Sequence, residues 1–178
     1  KLQAKGAEAM SDIELLAIEA ESRRDEARRR ELINQADVVF LCLPDDTARA
    51  AVALCDNPHT VIIDASTAHR TSEGWVYGLP ELSAAQRKAL SSARRIANPG
   101  CYATGAICIL YPLIAKSVLP ADYPVTIHAM SGYSGGGKKM IAAYEAPERP
   151  AELSFPRPYA LALNHKHVPE IQRISGLA

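Results

Sequence analysis

The chain has 178 residues, a formal net charge of zero and a 48% hydrophobic composition. That length suits one moderate domain or the central parts of two, and the apolar fraction is ordinary for a chain that buries a core. The charge balance gives no pull toward nucleic acid or another polyanion, and no apolar run is long enough to span a bilayer. The N-terminus shows no signal-peptide pattern, so a cytoplasmic chain with neither membrane nor nucleic acid as partner is expected. Cys42, Cys55, Cys101 and Cys108 form no CxxC pair, which favours free thiols over a disulfide framework. The chain starts at Lys1 rather than Met, in mid-pattern, and reads as a piece of something longer.

In chain order, Leu2 to Met10 reads as the tail of a helix, and Ile13 to Ile18 as a short apolar strand ending at Ser22-Arg23-Arg24. Asp25 to Asn34 is polar and predicted helical. Asp37 to Leu43 is a continuous β-branched run of the kind found in buried parallel strands. Pro44-Asp45-Asp46 stops it and offers an N-cap for a helix through Leu54. Thr60 to Asp64 is a further strand, leading into Ser66-Thr67-Ala68-His69-Arg70. Strands alternating with helices at this spacing predict βαβ units, a parallel sheet and a doubly wound α/β fold.

In such sheets ligands bind beyond the carboxyl ends of the strands. Arg23 and Arg24 are placed to hold a 2′-phosphate, which favours NADP over NAD; they read equally as a solvated loop beside Arg28-Arg29-Arg30. The glycine-rich phosphate turn that belongs before such a unit is not in the sequence.

Gly74 to Pro80 reads as a linker and Leu82 to Ser92 as a polar helix. The strand-like Arg95-Ile96-Ala97 then leads into Asn98-Pro99-Gly100-Cys101-Tyr102-Ala103-Thr104-Gly105. Ala103, Ala106, Ile107, Leu110 and Leu113 follow at helical spacing and predict one buried face. Pro99 makes Asn98 extended, and Gly100 permits a sharp turn, so Cys101 falls in the first turn of that helix. Backbone amides and the positive end of the dipole stabilise a thiolate there, and can hold an oxyanion on a carbonyl the sulfur attacks. The alternative is a buried structural cysteine. Pro112 should kink or shorten the helix.

Tyr123 to Met130 reads as a strand entering a second region, ending at the glycine loop Ser131-Gly132-Tyr133-Ser134-Gly135-Gly136-Gly137 and a helix beyond it. The loop's amides, with Lys138 and Lys139, suit phosphate, but the Walker spacing is absent. Ala146 to Tyr159, with its four prolines, is expected to be loop. His165 and His167 flank Lys166; on an extended segment both histidines face one way. A metal pair is weaker here than thiol catalysis with a distant histidine and Glu170 as orienter.

Together, Leu41-Cys42-Leu43-Pro44-Asp45-Asp46, Asp64-Ala65-Ser66-Thr67-Ala68-His69-Arg70, the Ala97 to Gly105 stretch, Ser131 to Lys138 and His165-Lys166-His167-Val168-Pro169-Glu170 resemble N-acetyl-γ-glutamyl-phosphate reductase, in its shorter, type 2 branch. The resemblance covers nearly the whole chain and implies a partial NADP-binding Rossmann domain over residues 1–98. Residues 99–178 would be the start of an α+β catalytic and oligomerisation domain, as in aspartate-semialdehyde dehydrogenases. It implies reductive dephosphorylation of a small acyl phosphate, with inorganic phosphate as product and an NADPH cofactor, in a homo-oligomer, dimer or tetramer. Cys101 would form a thioester and His167 would be the general acid–base; His165, Lys166 and Asn98 would contact substrate. Ser131 and Gly132 would line the cofactor and substrate cleft, and Ser22, Arg23, Arg24, Pro44, Ser66 and Thr67 would lie along the dinucleotide. Three alternatives stay open: another acyl-phosphate reductase, a cofactor-free thiol hydrolase or acyltransferase, and a non-catalytic domain fragment.

Overall fold

The computed structural model describes residues 25–178; the expected helix tail, the strand at Ile13 to Ile18 and Ser22-Arg23-Arg24 lie outside them. The chain divides into two compact units, Lys1–Tyr123 with Lys166–Ala178, and Pro124–His165.

The first unit is built on a parallel sheet. Helix α1 (Glu26–Gln35) starts where the Asp25 carboxylate accepts the Arg28 amide, an N-cap of the kind that satisfies an otherwise orphaned donor. Strand β1 (Val38–Leu41) leads to α2 (Asp45–Ala53), and β2 (Val61–Asp64) follows. After β3 (Val76–Tyr77) come a 3₁₀ turn (Pro80–Leu82), α3 (Ala84–Ser92) and β4 (Arg95–Ala97). Helix α4 is Cys101–Ala115, and α6, reached after the second unit, is Val168–Ser175. Sheet order is β1-β2-β4-β3, with every pair parallel. This is the expected α/β architecture, and it ends all four strands on one edge: Leu41, Asp64, Ala97 and Tyr77 stand side by side in register.

Two apolar clusters hold the sheet. Leu32, Ile33, Val39, Leu41, Ala48, Ala51, Leu54 and Ile62 fill one. Tyr77, Leu79 and Ile171 pack with Ala103, Ala106, Ile107 and Leu110 of α4 in the other. Fully burying an aliphatic side chain such as Ile62 stabilises by roughly 1.5–3 kcal/mol. Thr60, wholly buried, donates its hydroxyl to the Ala36 and Ile33 carbonyls, and so satisfies the C-terminal end of α1 against the start of β2.

Several expectations need correction. Residues 74–80 are not a linker: they carry β3, and Tyr77 and Leu79 are core, because β4 offers a free parallel edge. Leu113 lies outside the buried face, 37% exposed, while its neighbour Ile114 packs against the cluster. The helix runs on through Pro112 to Ala115. Pro112 and Cys108, whose carbonyl loses its partner, are both exposed, so water can take that carbonyl.

In the second unit, 124–130 is not a strand. Among the described residues no neighbouring strand pairs with it, and isolated extended chain has no ladder to stabilise it. The glycine loop is partly ordered as a 3₁₀ turn (Tyr133–Gly136) leading into α5 (Gly137–Glu145), where Gly137 takes a φ of 73° that favours glycine. Tyr133 and Tyr144 stack at 5.0 Å, and the Tyr133 hydroxyl donates to Glu145. That bond and the charge of Glu145 push the Tyr133 phenol up. Ala146 to Tyr159 is loop apart from the 3₁₀ turn Ala151–Ser154. No helix among the described residues is long and apolar enough to cross a membrane.

Ile62→Ala should cost about 2–5 kcal/mol of unfolding free energy, read by urea denaturation. A loss below 1 kcal/mol would show that the sheet centre relaxes freely around the cavity.

Candidate active site

The carboxyl edge of the sheet is shaped by polar side chains that are themselves fully engaged. Asp64, wholly buried at the end of β2, accepts from the Ser66 amide and hydroxyl at 2.9 and 2.8 Å and from His69 Nδ1 at 2.6 Å. A carboxylate only accepts, so Nδ1 carries the proton. The His69 ring stacks on Trp75 with centroids 4.0 Å apart. The predicted cap of α2 is different in kind: Pro44 is the N-cap residue, and α2 has no side-chain cap. Asp45 instead reaches across to the next loop, accepting from the Thr67 amide and hydroxyl. Partial burial would raise the Asp45 pKa, but the Thr67 hydrogen bonds and the charges of Lys166 and Arg49 outweigh it and hold the carboxyl below its ordinary value of 3.8. The turns after β1 and β2 thereby become one rim.

After β4 the chain enters α4 through Asn98-Pro99-Gly100. Gly100 is the N-cap residue and Cys101 the first helical residue, exposed at its tip. Gly100 has φ −73° and ψ 147°, a conformation any residue adopts, so the predicted need for a sharp turn is not why glycine stands here. The reason is space. A methyl group at Gly100 would lie 2.4 Å from Nε2 of His167 and 2.6 Å from Nη1 of Arg70. The His167 imidazole therefore rests on the backbone immediately before the cysteine, and its ring also lies 6.1 Å from that of Tyr102, centroid to centroid.

His167 holds that position as the N-cap residue of α6, buried, with helical dihedrals of φ −82° and ψ −14°. The extended geometry that would turn His165 and His167 the same way is not adopted. One turn on, Glu170 is 1% exposed. Its carboxylate accepts from the Gly100 amide at 2.8 Å, the Tyr77 hydroxyl at 2.6 Å and Arg70 Nη1 at 3.1 Å. Burial, that hydrogen bond and the Glu170 charge push the Tyr77 phenol far up, so it remains a donor. Arg70, also buried, donates Nε to the Asn98 carbonyl and Nη2 to the Ala65 carbonyl.

Cys101, His167 and Asn98 thus meet around Gly100. Thr67 and Lys166 line a cavity of about 270 Å³ with Arg70, Thr71, Pro169 and Glu170. Pro44 is exposed at the same sheet edge, while Ser66 is buried, its hydroxyl committed to Asp64. Ser131, Gly132 and His165 belong to the second unit. There Ser131 and Gly132 are exposed, and His165 meets Tyr159 through a hydrogen bond and an edge-on ring contact. Among the described residues no cluster of His, Cys, Asp and Glu could hold a metal ion. From the sequence, Arg70 stood only among the polar residues of a strand end expected near the dinucleotide, and Tyr77 had no role. Their task is to neutralise and hydrogen-bond a buried carboxylate far along the chain, which periodicity does not reveal. The start of α6 was readable: Pro169 at the second helical position and Glu170 at the third are a helix-start signal.

Gly100→Ala should cost about 1–3 kcal/mol through overpacking against His167 and Arg70, measured by denaturant unfolding; an unchanged midpoint would mean the imidazole moves aside without penalty. For Asp45 the folded pKa is depressed, so the stability it contributes is complete above the ordinary carboxylate value and is lost as pH falls through the lowered one. Asp45→Asn should therefore flatten the fall in melting temperature between roughly pH 5 and pH 2; an unaltered slope would place the acid sensitivity elsewhere.

Residues 4–92 match the family model described as semialdehyde dehydrogenase, NAD binding domain, and residues 101–178 match semialdehyde dehydrogenase, dimerisation domain. The chain is 54% identical over 170 residues to N-acetyl-gamma-glutamyl-phosphate reductase 2 of Pseudomonas putida, a span covering 94% of this chain and 53% of that protein. It is 53% identical over 167 residues to N-acetyl-gamma-glutamyl-phosphate reductase of a Chelativorans species, with the same coverage. Against N-acetyl-gamma-glutamyl-phosphate reductase 2 of a Nostoc species it is 48% identical over 171 residues, again 94% and 53% of the two chains. The chain spans about half the length of these relatives. With its two parts matched in order to the two domains of that family, the chain belongs to the semialdehyde dehydrogenase family.

Proposed function

We propose that the protein containing this chain is an N-acetyl-γ-glutamyl-phosphate reductase, converting the acyl phosphate to N-acetylglutamate semialdehyde and inorganic phosphate. The carrying observation is Cys101 at the first turn of α4, with the His167 ring against the preceding Gly100, in a chain about half identical to proteins of that name. Residues 1–98 form the cofactor domain and 99–178 the beginning of the catalytic domain in this reading.

Cys101 Sγ attacks the γ-acyl carbon. The carbon–oxygen bond to the phosphoryl group breaks, phosphate leaves with the bonding electrons, and a thioester remains on sulfur. The first-turn amides of α4 face the carbonyl oxygen as it gains charge, the role of an oxyanion hole. His167 is the general acid–base, taking the thiol proton and returning one when the aldehyde is released. Asn98, Lys166, His165, Ser131 and Gly132 are assigned to substrate contacts, with Ser131 and Gly132 shared with the cofactor.

The carboxyl edge fits a dinucleotide. Parallel strands end on it, and the Asp45–Thr67 bridge joins the turns after β1 and β2 into a continuous rim. Pro44, Ser66 and Thr67, with Ser22, Arg23 and Arg24, would hold the cofactor, Ser66 by shaping its loop and the arginines by selecting NADP. When bound, NADPH supplies the hydride that reduces the acyl group. A cytoplasmic homo-oligomer, dimer or tetramer, is part of the same reading.

The test is phosphate-dependent reduction of NADP with N-acetylglutamate semialdehyde, using the protein that contains this chain, with aspartate semialdehyde in parallel. Turnover confined to the acetylated substrate is expected; turnover only with aspartate semialdehyde moves the assignment to that reductase, and turnover with neither removes it. Cys101→Ser should abolish turnover, a loss of at least about 10³-fold, while NADPH binding is retained. Equal loss of both would make the cysteine structural.

A further inference from the structure

We propose that Glu170 is a positioning residue: it caps the cysteine helix α4 from another helix and fixes Cys101 against His167. Helix α4 lacks both halves of the usual start. Its N-cap is Gly100, which has no side-chain oxygen, and its third helical residue is Ala103, fully buried in the core. In a capping box a glutamate at that third position would reach back to the N-cap amide. Here the Gly100 amide is taken at 2.8 Å by Glu170, seventy residues further on.

Glu170 is itself the third residue of α6, where the same rule would turn it to its own helix. It instead faces α4, so the first turns of the two helices are joined by one carboxylate. The joint has a second side. Arg70, ion-paired to Glu170, also donates to the Asn98 carbonyl at 2.9 Å. The turn from Asn98 to Gly100 is thus held at its carbonyl by one member of a buried ion pair and at its amide by the other. Because His167 lies one turn before Glu170 on α6, the carboxylate that orders the cysteine's backbone also sets the height of the imidazole beside it. The titratable and charged groups facing Glu170 are Arg70 after β2, Tyr77 on β3 and His167 on its own helix, with Cys108 of α4 close to Tyr77.

The proposal rests on Cys101 being the nucleophile of the reaction above, and its test needs neither substrate nor cofactor. The rate of Cys101 alkylation by iodoacetamide is followed by peptide mass spectrometry in the protein containing this chain, with Cys55 as internal reference. Rates are taken well below each variant's melting temperature. Glu170→Asp keeps the charge beside Arg70 but draws the carboxylate back by about 1.5 Å, beyond hydrogen-bond reach of the Gly100 amide. Glu170→Gln keeps the acceptor oxygen at full reach and discards the charge. The expected result is a Cys101 rate lowered by about tenfold in the Asp variant and restored to the unsubstituted chain's rate or above in the Gln variant, with Cys55 unmoved in both. An unchanged rate in the folded Asp variant overturns the proposal. So does a Gln variant as slow as the Asp variant, which would reduce Glu170 to the counter-charge of Arg70. Should one variant not fold, the other still decides against the unsubstituted chain: a slow Asp variant or a fast Gln variant supports, and the reverse overturns.

Discussion

The buried ion pair between Arg70 and Glu170 is the interaction on which the rest of the site depends. Taking two charges out of water is expensive, and such a pair persists only where the remaining donors and acceptors are satisfied. Here Tyr77 and Gly100 also donate to the carboxylate, and the carbonyls of Asn98 and Ala65 accept from the guanidinium. The pair draws together the loop after β2, strand β3, the turn after β4 and the start of α6. Removing either partner leaves an uncompensated buried charge, a cost of about 3–5 kcal/mol.

The sheet explains why the loop after β2, strand β3 and the turn after β4 are neighbours. Parallel strands deliver their carboxyl ends to one edge, and the register aligns the last residues of all four. The side chains that follow are then used twice. Asp64 and Asp45 shape backbone turns through serine and threonine, and in the proposed function these turns hold the cofactor. Close approach completes the arrangement: the space left by the missing side chain of Gly100 is where His167 and Arg70 sit.

Much of this was legible in the sequence, and the failures have physical causes. The β-branched runs at Val38–Leu41 and Val61–Asp64 declare themselves as continuous apolar stretches, and the stripe of α4 by its helical period. The short strand at Val76–Tyr77 does not; two residues carry no period, and only a vacant edge on β4 makes them a strand. Residues 124–130 have the composition of a strand but no partner among the described residues. Cys101 was found because proline and glycine punctuate the chain before it. The value of Gly100 was misattributed to its dihedrals, since a contact with a histidine far along the chain is invisible locally. Glu170 was read as an orienter for a histidine, but its service to the start of a different helix was not visible.

In the proposed reaction Cys101, presented by this clamped turn, takes the acyl group from an acyl phosphate. The most direct measurement mixes the protein containing this chain with N-acetyl-γ-glutamyl phosphate, without reduced cofactor, and follows phosphate release together with the mass of the Cys101 peptide under acid quench. A burst of phosphate stoichiometric with protein is expected, with an acyl adduct on Cys101 that hydroxylamine removes. Phosphate release with no adduct on Cys101, or an adduct that survives Cys101→Ser at full yield, would contradict it.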